Sequence, residues 1–141
     1  MWCVPKLTPE YFHRMEDVLR LYARPWNPRE PVVCLDERPV QLHENARETI
    51  RADRPGTILK RDYEYVRCGT ANVFCAVEPK AGRHLTRATK TRSGAEFAKM
   101  AATVIRAYPR ARKIHLVMDN LSTHSEKSLT DFYGQRRGAR L

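Results

Sequence analysis

The sequence predicts a mixed α/β fold, a sheet flanked by helices, on three observations. Two short apolar runs, Val32–Leu35 and Ile114–Met118, have the unbroken hydrophobic character of strands buried on both faces. Tyr65–Val77, rich in aromatic and β-branched residues, is followed by a turn and a further strand-like run, the pattern of a hairpin. A strongly periodic helix then separates the hairpin from the second apolar run. The resulting order is helix, strand, two hairpin strands, helix, strand, helix, which suits a mixed sheet with helices packed on it.

Each element has its own warrant. Thr8-Pro9-Glu10 reads as a helix start, with Thr as N-cap and Pro in the first turn, and Phe12, Met15, Leu19 and Tyr22 then share one face. Pro25, Pro28 and Pro31 end that helix in a stiff linker. The first buried strand is expected to stop at Asp36-Glu37. From Gln41 to Lys60 periodicity is weak, so this stretch is expected to be irregular with at most a short helix, and Pro55-Gly56 signals a turn. Tyr65–Val77 and His84–Thr89 form the hairpin around Glu78–Gly82. Ser93 and Glu96 form a capping box, and Phe97, Met100, Ala101, Val104, Ile105 and Tyr108 keep the helical period until Pro109. After Ile114–Met118, Ser122 or Thr123 is expected to cap a helix running to about Tyr133, and the arginine-rich tail from Gln135 to Leu141 has no core pattern.

The chain has 141 residues and a 42% hydrophobic share, enough for one domain that needs no disulfide staples. Its formal net charge is +10, and Arg outnumbers Lys. Arginine's planar fork fits phosphate oxygens, so a polyanionic partner, DNA or RNA, is expected. No long apolar run would span or anchor in a membrane. Cys3, Cys34, Cys68 and Cys75 show no zinc-type spacing, Cys34 reads as a buried thiol, and a reducing, cytoplasmic setting is expected.

Two acids stand out by position. Asp36 and Asp119 each follow a buried-type strand, and sites in α/β sheets gather at the carboxyl ends of strands. Two carboxylates converging there would suit a hard, oxygen-preferring cation such as Mg²⁺. The same residues could instead begin a turn or cap a helix, and spacing alone leaves both readings open.

At these residues the sequence resembles the bacterial insertion-sequence transposases of the IS630 family, relatives of the Tc1/mariner transposases. Val33-Cys34-Leu35-Asp36-Glu37 matches the strand that carries the family's first catalytic Asp. Leu116-Val117-Met118-Asp119-Asn120-Leu121-Ser122-Thr123-His124 resembles the strand with the second Asp and its trailing His. Trp2-Cys3-Val4-Pro5, Met15-Glu16-Asp17-Val18-Leu19, Asp62-Tyr63-Glu64-Tyr65-Val66-Arg67 and Gly69-Thr70-Ala71-Asn72 look like further family segments in the right order. The resemblance implies a ribonuclease H-like fold and a DDE-type reaction. In that reaction a phosphodiester is hydrolysed at the transposon end, and the freed 3′-hydroxyl attacks target DNA. It also implies Mg²⁺, with Mn²⁺ as a substitute, held by Asp36, Asp119 and a third acid. The partners implied are double-stranded DNA, as transposon ends and target, and a second copy of the chain as a candidate homodimer.

On this reading residues 1–30 form a helix and linker, and residues 31–141 form part of the catalytic domain. The family's N-terminal helix-turn-helix region has no counterpart, and the third acid is expected to fall beyond Leu141. Glu37, Glu126 and Asp131 are poor substitutes for it, by direction or by placement on the following helix. The fragment is therefore expected to be inactive alone, and the arginine-rich tail fits a frameshifted or decayed element. Arg67, Arg83, Arg87, Lys90 and Arg92 are candidate DNA-backbone contacts or a plain solvated edge. His124 either touches metal-bound water or phosphate, or supports a helix entry. The rivals are a non-catalytic DNA- or partner-binding remnant and a ribonuclease H-like nuclease acting on RNA or hybrids.

Overall fold

The computed structural model describes residues 7–50, 54–56, 58–60 and 63–138. Trp2–Pro5, Asp62 and the end of the tail lie outside the described residues. The elements run α1 (Pro9–Ala23), β1 (Val32–Asn45), β2 (Tyr65–Glu78), β3 (Arg83–Thr89), α2 (Gly94–Ala107), β4 (His115–Val117), α3 (Glu126–Tyr133) and α4 (Gln135–Gly138). The sheet order is β3-β2-β1-β4. β1 pairs antiparallel with β2 and parallel with β4, and β2 pairs antiparallel with β3. The expected mixed sheet with helices is therefore present, and the two apolar runs are neighbouring parallel strands.

Strand alternation sets the core. Val33 and Leu35 of β1 and Phe74 and Ala76 of β2 face the same side and are buried there beneath Phe97, Met100, Val104 and Tyr108. Leu85, Ile114, Leu116 and Leu129 pack around this cluster. The helix α2 starts where the capping pattern placed it: Ser93 Oγ accepts from the Glu96 amide at 3.4 Å. The Glu96 carboxylate pairs with Lys99 at 2.6 Å and Arg87 at 3.5 Å.

The structure corrects or adds to the sequence reading at four points. β1 does not stop at Asp36 but continues to Asn45, through the stretch whose polar residues and Pro39 read as a break. Its extension is non-local: Arg38 to Asn45 are held by pairing with β2, and a register shift between Gln41 and His43 is absorbed near Gly69, whose φ is +97°. Pro39 is tolerated because β1 lies beyond its last β4 pair there, at Cys34, and needs no ladder donor on that side. This distal ribbon is largely exposed, so no periodic burial marked it. Second, α1 buries none of its residues, although Thr8 caps it as expected; its apolar face touches the body at Tyr22, whose hydroxyl lies 3.1 Å from Cys34 Sγ. Third, α3 is capped by Ser125 rather than Ser122 or Thr123. Fourth, Gln135–Gly138 form a short helix.

At the far end of the sheet Glu78 is buried. Trp26 Nε1 donates to its carboxylate at 2.9 Å. Tyr108 lies beside it. Burial first, then the hydrogen bond to Glu78 and its charge, push the Tyr108 phenol up to about 12. A pKa raised above the unfolded value favours the neutral folded form, so this contribution is complete below about pH 10 and is lost as pH rises toward about 12. Denaturant unfolding between these values is expected to show a smaller alkaline loss for Tyr108→Phe than for the parent. Phe74→Ala is expected to cost about 3–5 kcal/mol in the same measurement at neutral pH, since Phe74 is fully buried between sheet and helix.

Candidate active site

The strands that carry the two candidate acids share one ladder. Val32 pairs with His115, Val33 with Leu116 and Cys34 with Val117. Continued two residues past its last pair, the same register would bring the backbone of Asp119 opposite Asp36. Asp36 projects from the face bearing Cys34, away from α2. Asp36 is exposed, and its Oδ1 accepts from the Glu37 amide at 2.8 Å. The Asp119 side chain is 58% exposed. It borders a cleft of about 350 Å³ with Asp17, Val18, Leu21, Met118, Asn120 and His124.

The two acids are held differently. Asp36 lies inside the β1–β2 ladder, opposite Cys75. Asp119 lies beyond β4, which ends at Val117. Its Oδ1 is fixed instead by the Leu121 amide at 3.1 Å and by His124 Nδ1 at 2.7 Å.

The sequence leaves His124 open between two roles; in the structure its side chain is fully buried. Its ring packs on Phe97 of α2 with centroids 4.8 Å apart. Its other nitrogen, Nε2, lies 3.0 Å from Glu37 Oε2, and the Glu37 side chain is 3% exposed. The two buried atoms lie close without forming a hydrogen bond. Glu37 thus points to the opposite side from Asp36, as its place in an extended strand requires. Nothing in the sequence marks the pair, because its members come from distant segments.

The basic candidates do not form one cluster. Arg67 sits on the distal ribbon opposite His43. Arg83 donates to the Ala107 carbonyl at 3.1 Å and lies 4.5 Å over the Tyr108 ring, which anchors it at the end of α2. Arg87 is paired with Glu96. Lys90 and Arg92 are exposed just before α2. Arg83 and Thr89 mark opposite ends of β3, roughly 20 Å apart at the usual strand rise.

The donor set at Asp36, within β1, and Asp119, just past β4, is chemically right for a hard divalent cation: two carboxylates on neighbouring segments. Their number falls short: among the described residues no group of three or more His, Cys, Asp or Glu could hold a metal. Glu37 is not a third ligand here, because His124 covers its carboxylate.

Residues 31–140 match the family model described as DDE superfamily endonuclease. No curated protein matches the chain significantly. Similar solved structures are those of the mariner transposase Mos1. Its paired-end complex with Mg has a TM-score of 0.53 at 16% identity, over 94% of this chain and 42% of that one. The complex with Mn gives 0.54 at 18%, over 97% and 44%. The complex with the left transposon end gives 0.53 at 18%, over 94% and 42%. The likeness is one of fold, a ribonuclease H-like sheet flanked by helices, and this chain spans less than half the length of those chains.

Arg83→Ala is expected to lower stability by about 1 kcal/mol in denaturant unfolding, through loss of a helix-end bond and a cation–π contact. Arg92→Ala, on the exposed approach to α2, is expected to leave stability within about 0.5 kcal/mol.

Proposed function

The chain belongs to the DDE superfamily endonucleases, and on that footing we propose that it is the catalytic-domain portion, residues 31–141, of a DNA transposase related to the IS630 insertion-sequence family. The observation that carries this reading is the β1–β4 register, which, continued two residues past its last pair, would bring the backbone of Asp119 opposite Asp36 in a sheet of this family's kind. Asp36 and Asp119 are then the catalytic acids and the residues that would hold Mg²⁺ or Mn²⁺. A cation bound there would supply Lewis-acid stabilisation of charge developing on phosphate oxygens.

The chain's own residues contribute orientation. Asp36 is tied into the sheet and Asp119 to its own loop, so both carboxylates are presented to solvent with one oxygen already committed to the backbone. The formal net charge of +10 supports a duplex DNA partner, with Arg67, Arg83, Lys90 and Arg92 as the exposed members of the candidate set. Arg83 and Arg87 serve the fold as well. By analogy with the paired-end Mos1 complexes, the DNA would be transposon ends, and a second copy of the chain is a candidate partner. Among the described residues no helix is long and apolar enough to cross a membrane. A bacterial cytoplasm, with the chain at the nucleoid when bound to DNA, fits this activity.

We infer that these residues alone cut DNA poorly. Asp36 and Asp119 are two carboxylates where the two-metal reaction needs three acids in fixed geometry, and a misplacement of about 1 Å costs on the order of a hundredfold in rate. Incubation of supercoiled plasmid with Mg²⁺ or Mn²⁺ is expected to give at most weak nicking, lost in Asp36→Ala and Asp119→Ala. Robust nicking that depends on both acids would refute the deficit, and nicking that survives both substitutions would remove them from the reaction. Duplex DNA binding is expected to be sequence-tolerant and to weaken steeply as salt rises. Binding that is absent at low salt, or indifferent to salt, would count against the DNA-partner reading.

A further inference from the structure

The strand ladder leaves one of the two acids without a fixed place. Asp36 is gripped within β1 by its pairing with β2. Asp119 lies two residues past the end of a three-residue strand. Backbone pairing therefore does not set its distance from Asp36, and the stretch from Met118 to Ser125 contains no helix or strand.

A second connection spans this gap. His124 Nδ1 bonds Asp119 Oδ1 at 2.7 Å, and His124 Nε2 lies 3.0 Å from Glu37 Oε2. Glu37 is the residue next to Asp36, and its amide is the donor to Asp36 Oδ1. The imidazole thus links the backbone neighbour of one acid to the carboxylate of the other. Its ring packs on Phe97 of α2. A fully buried imidazole between two carboxylates is a costly arrangement for mere packing, because unpaired polar atoms there lose their hydration.

We propose that Glu37 and His124 form a buried strut that fixes the Asp119 carboxylate relative to Asp36, so that both are positioning residues for the metal-binding pair. The proposal rests on the reading of Asp36 and Asp119 as metal ligands. It assigns Glu37 a role distinct from ligation: Glu37 anchors the strut on the core side of the sheet while Asp36 serves the open side.

The test separates packing from positioning with two substitutions. His124→Phe keeps the ring and its stacking on Phe97 but deletes both nitrogens. His124→Asn keeps a donor where Nδ1 stands but leaves a hole against Phe97. Mn²⁺ affinity of the full chain would be measured by electron paramagnetic resonance titration, and thermal stability would be measured without metal. The strut predicts that His124→Phe weakens Mn²⁺ binding by about 10- to 100-fold with little change in melting temperature. His124→Asn loses the Glu37 arm along with Nε2, so it should also weaken binding, and in addition melt lower. Parent-like affinity in His124→Phe, with loss only in the lower-melting His124→Asn, would reduce His124 to a packing residue and overturn the proposal. Glu37→Gln, which keeps the shape, is expected to weaken binding in the same direction as His124→Phe; parent-like affinity would remove Glu37 from the strut.

A metal-free readout keeps this outcome apart from failure of the ligand reading. The Leu121 amide donates to the carboxylate that the strut holds. Its hydrogen exchange is expected to speed up in His124→Phe. Unchanged exchange in His124→Phe overturns the strut whatever Mn²⁺ does. Asp36→Asn and Asp119→Asn that bind Mn²⁺ like the parent would instead overturn the ligand reading.

Discussion

The position of β1 inside the sheet is the constraint on which the rest depends. One strand pairs antiparallel on one side and parallel on the other, so it has to satisfy two ladders and two faces at once. Its odd-numbered residues Val33 and Leu35 are driven beneath α2 by burial, which removes apolar side chains from water at about 25 cal/mol per Å². With that face fixed, the period of two leaves no freedom: Cys34 and Asp36 must project to the other side, and Glu37 must return to the first. The exposed acid and the buried acid are adjacent in sequence for this reason alone.

From this one strand the site is assembled by short-range means. β4 contributes only three paired residues, enough to set direction and register but not to hold the loop beyond Val117. That loop is fixed by polar contacts: Asp119 accepts from its own Leu121 amide, His124 on the approach to α3 reaches across to Glu37, and Ser125 then caps α3. Polar groups inside a fold are best tolerated when each finds a partner; here Asp119 and His124 bond one another, while His124 Nε2 and Glu37 Oε2 lie close without a hydrogen bond. The opposite end of the sheet repeats the device with Glu78, Trp26 and Tyr108, where a buried carboxylate ties the linker after α1 to the end of α2.

The features legible in the sequence are those that local chemistry decides. The two apolar runs, the hairpin and the Thr8 and Ser93 caps are set by neighbouring residues, and the structure has strands and helices there. The distal half of β1 is illegible because its residues are mostly polar, largely solvent-exposed on both faces and interrupted by Pro39; only pairing with β2 makes them a strand. The apolar face of α1 is legible as helix periodicity, but its exposure is not, since periodicity does not say whether a partner surface is within reach. Glu37 and His124 escape notice as a pair for the same reason as the ribbon. A contact between distant segments leaves no trace in spacing, and the resemblance to a transposase family draws attention to Asp36 and the His after Asp119 without saying what that His touches.

The proposed cation site requires Asp36 and Asp119 to lie together, as the β1–β4 register suggests when continued two residues past its last pair. The most direct measurement is paramagnetic broadening of backbone amide signals during a Mn²⁺ titration of the intact chain, because the effect falls off steeply with distance from the ion. Amides flanking Asp36 and those flanking Asp119 are expected to broaden together, at the same Mn²⁺ concentration and before amides beside Glu10, an exposed acid at the start of α1. Broadening around only one of the two acids, or first around Glu10, would contradict that arrangement.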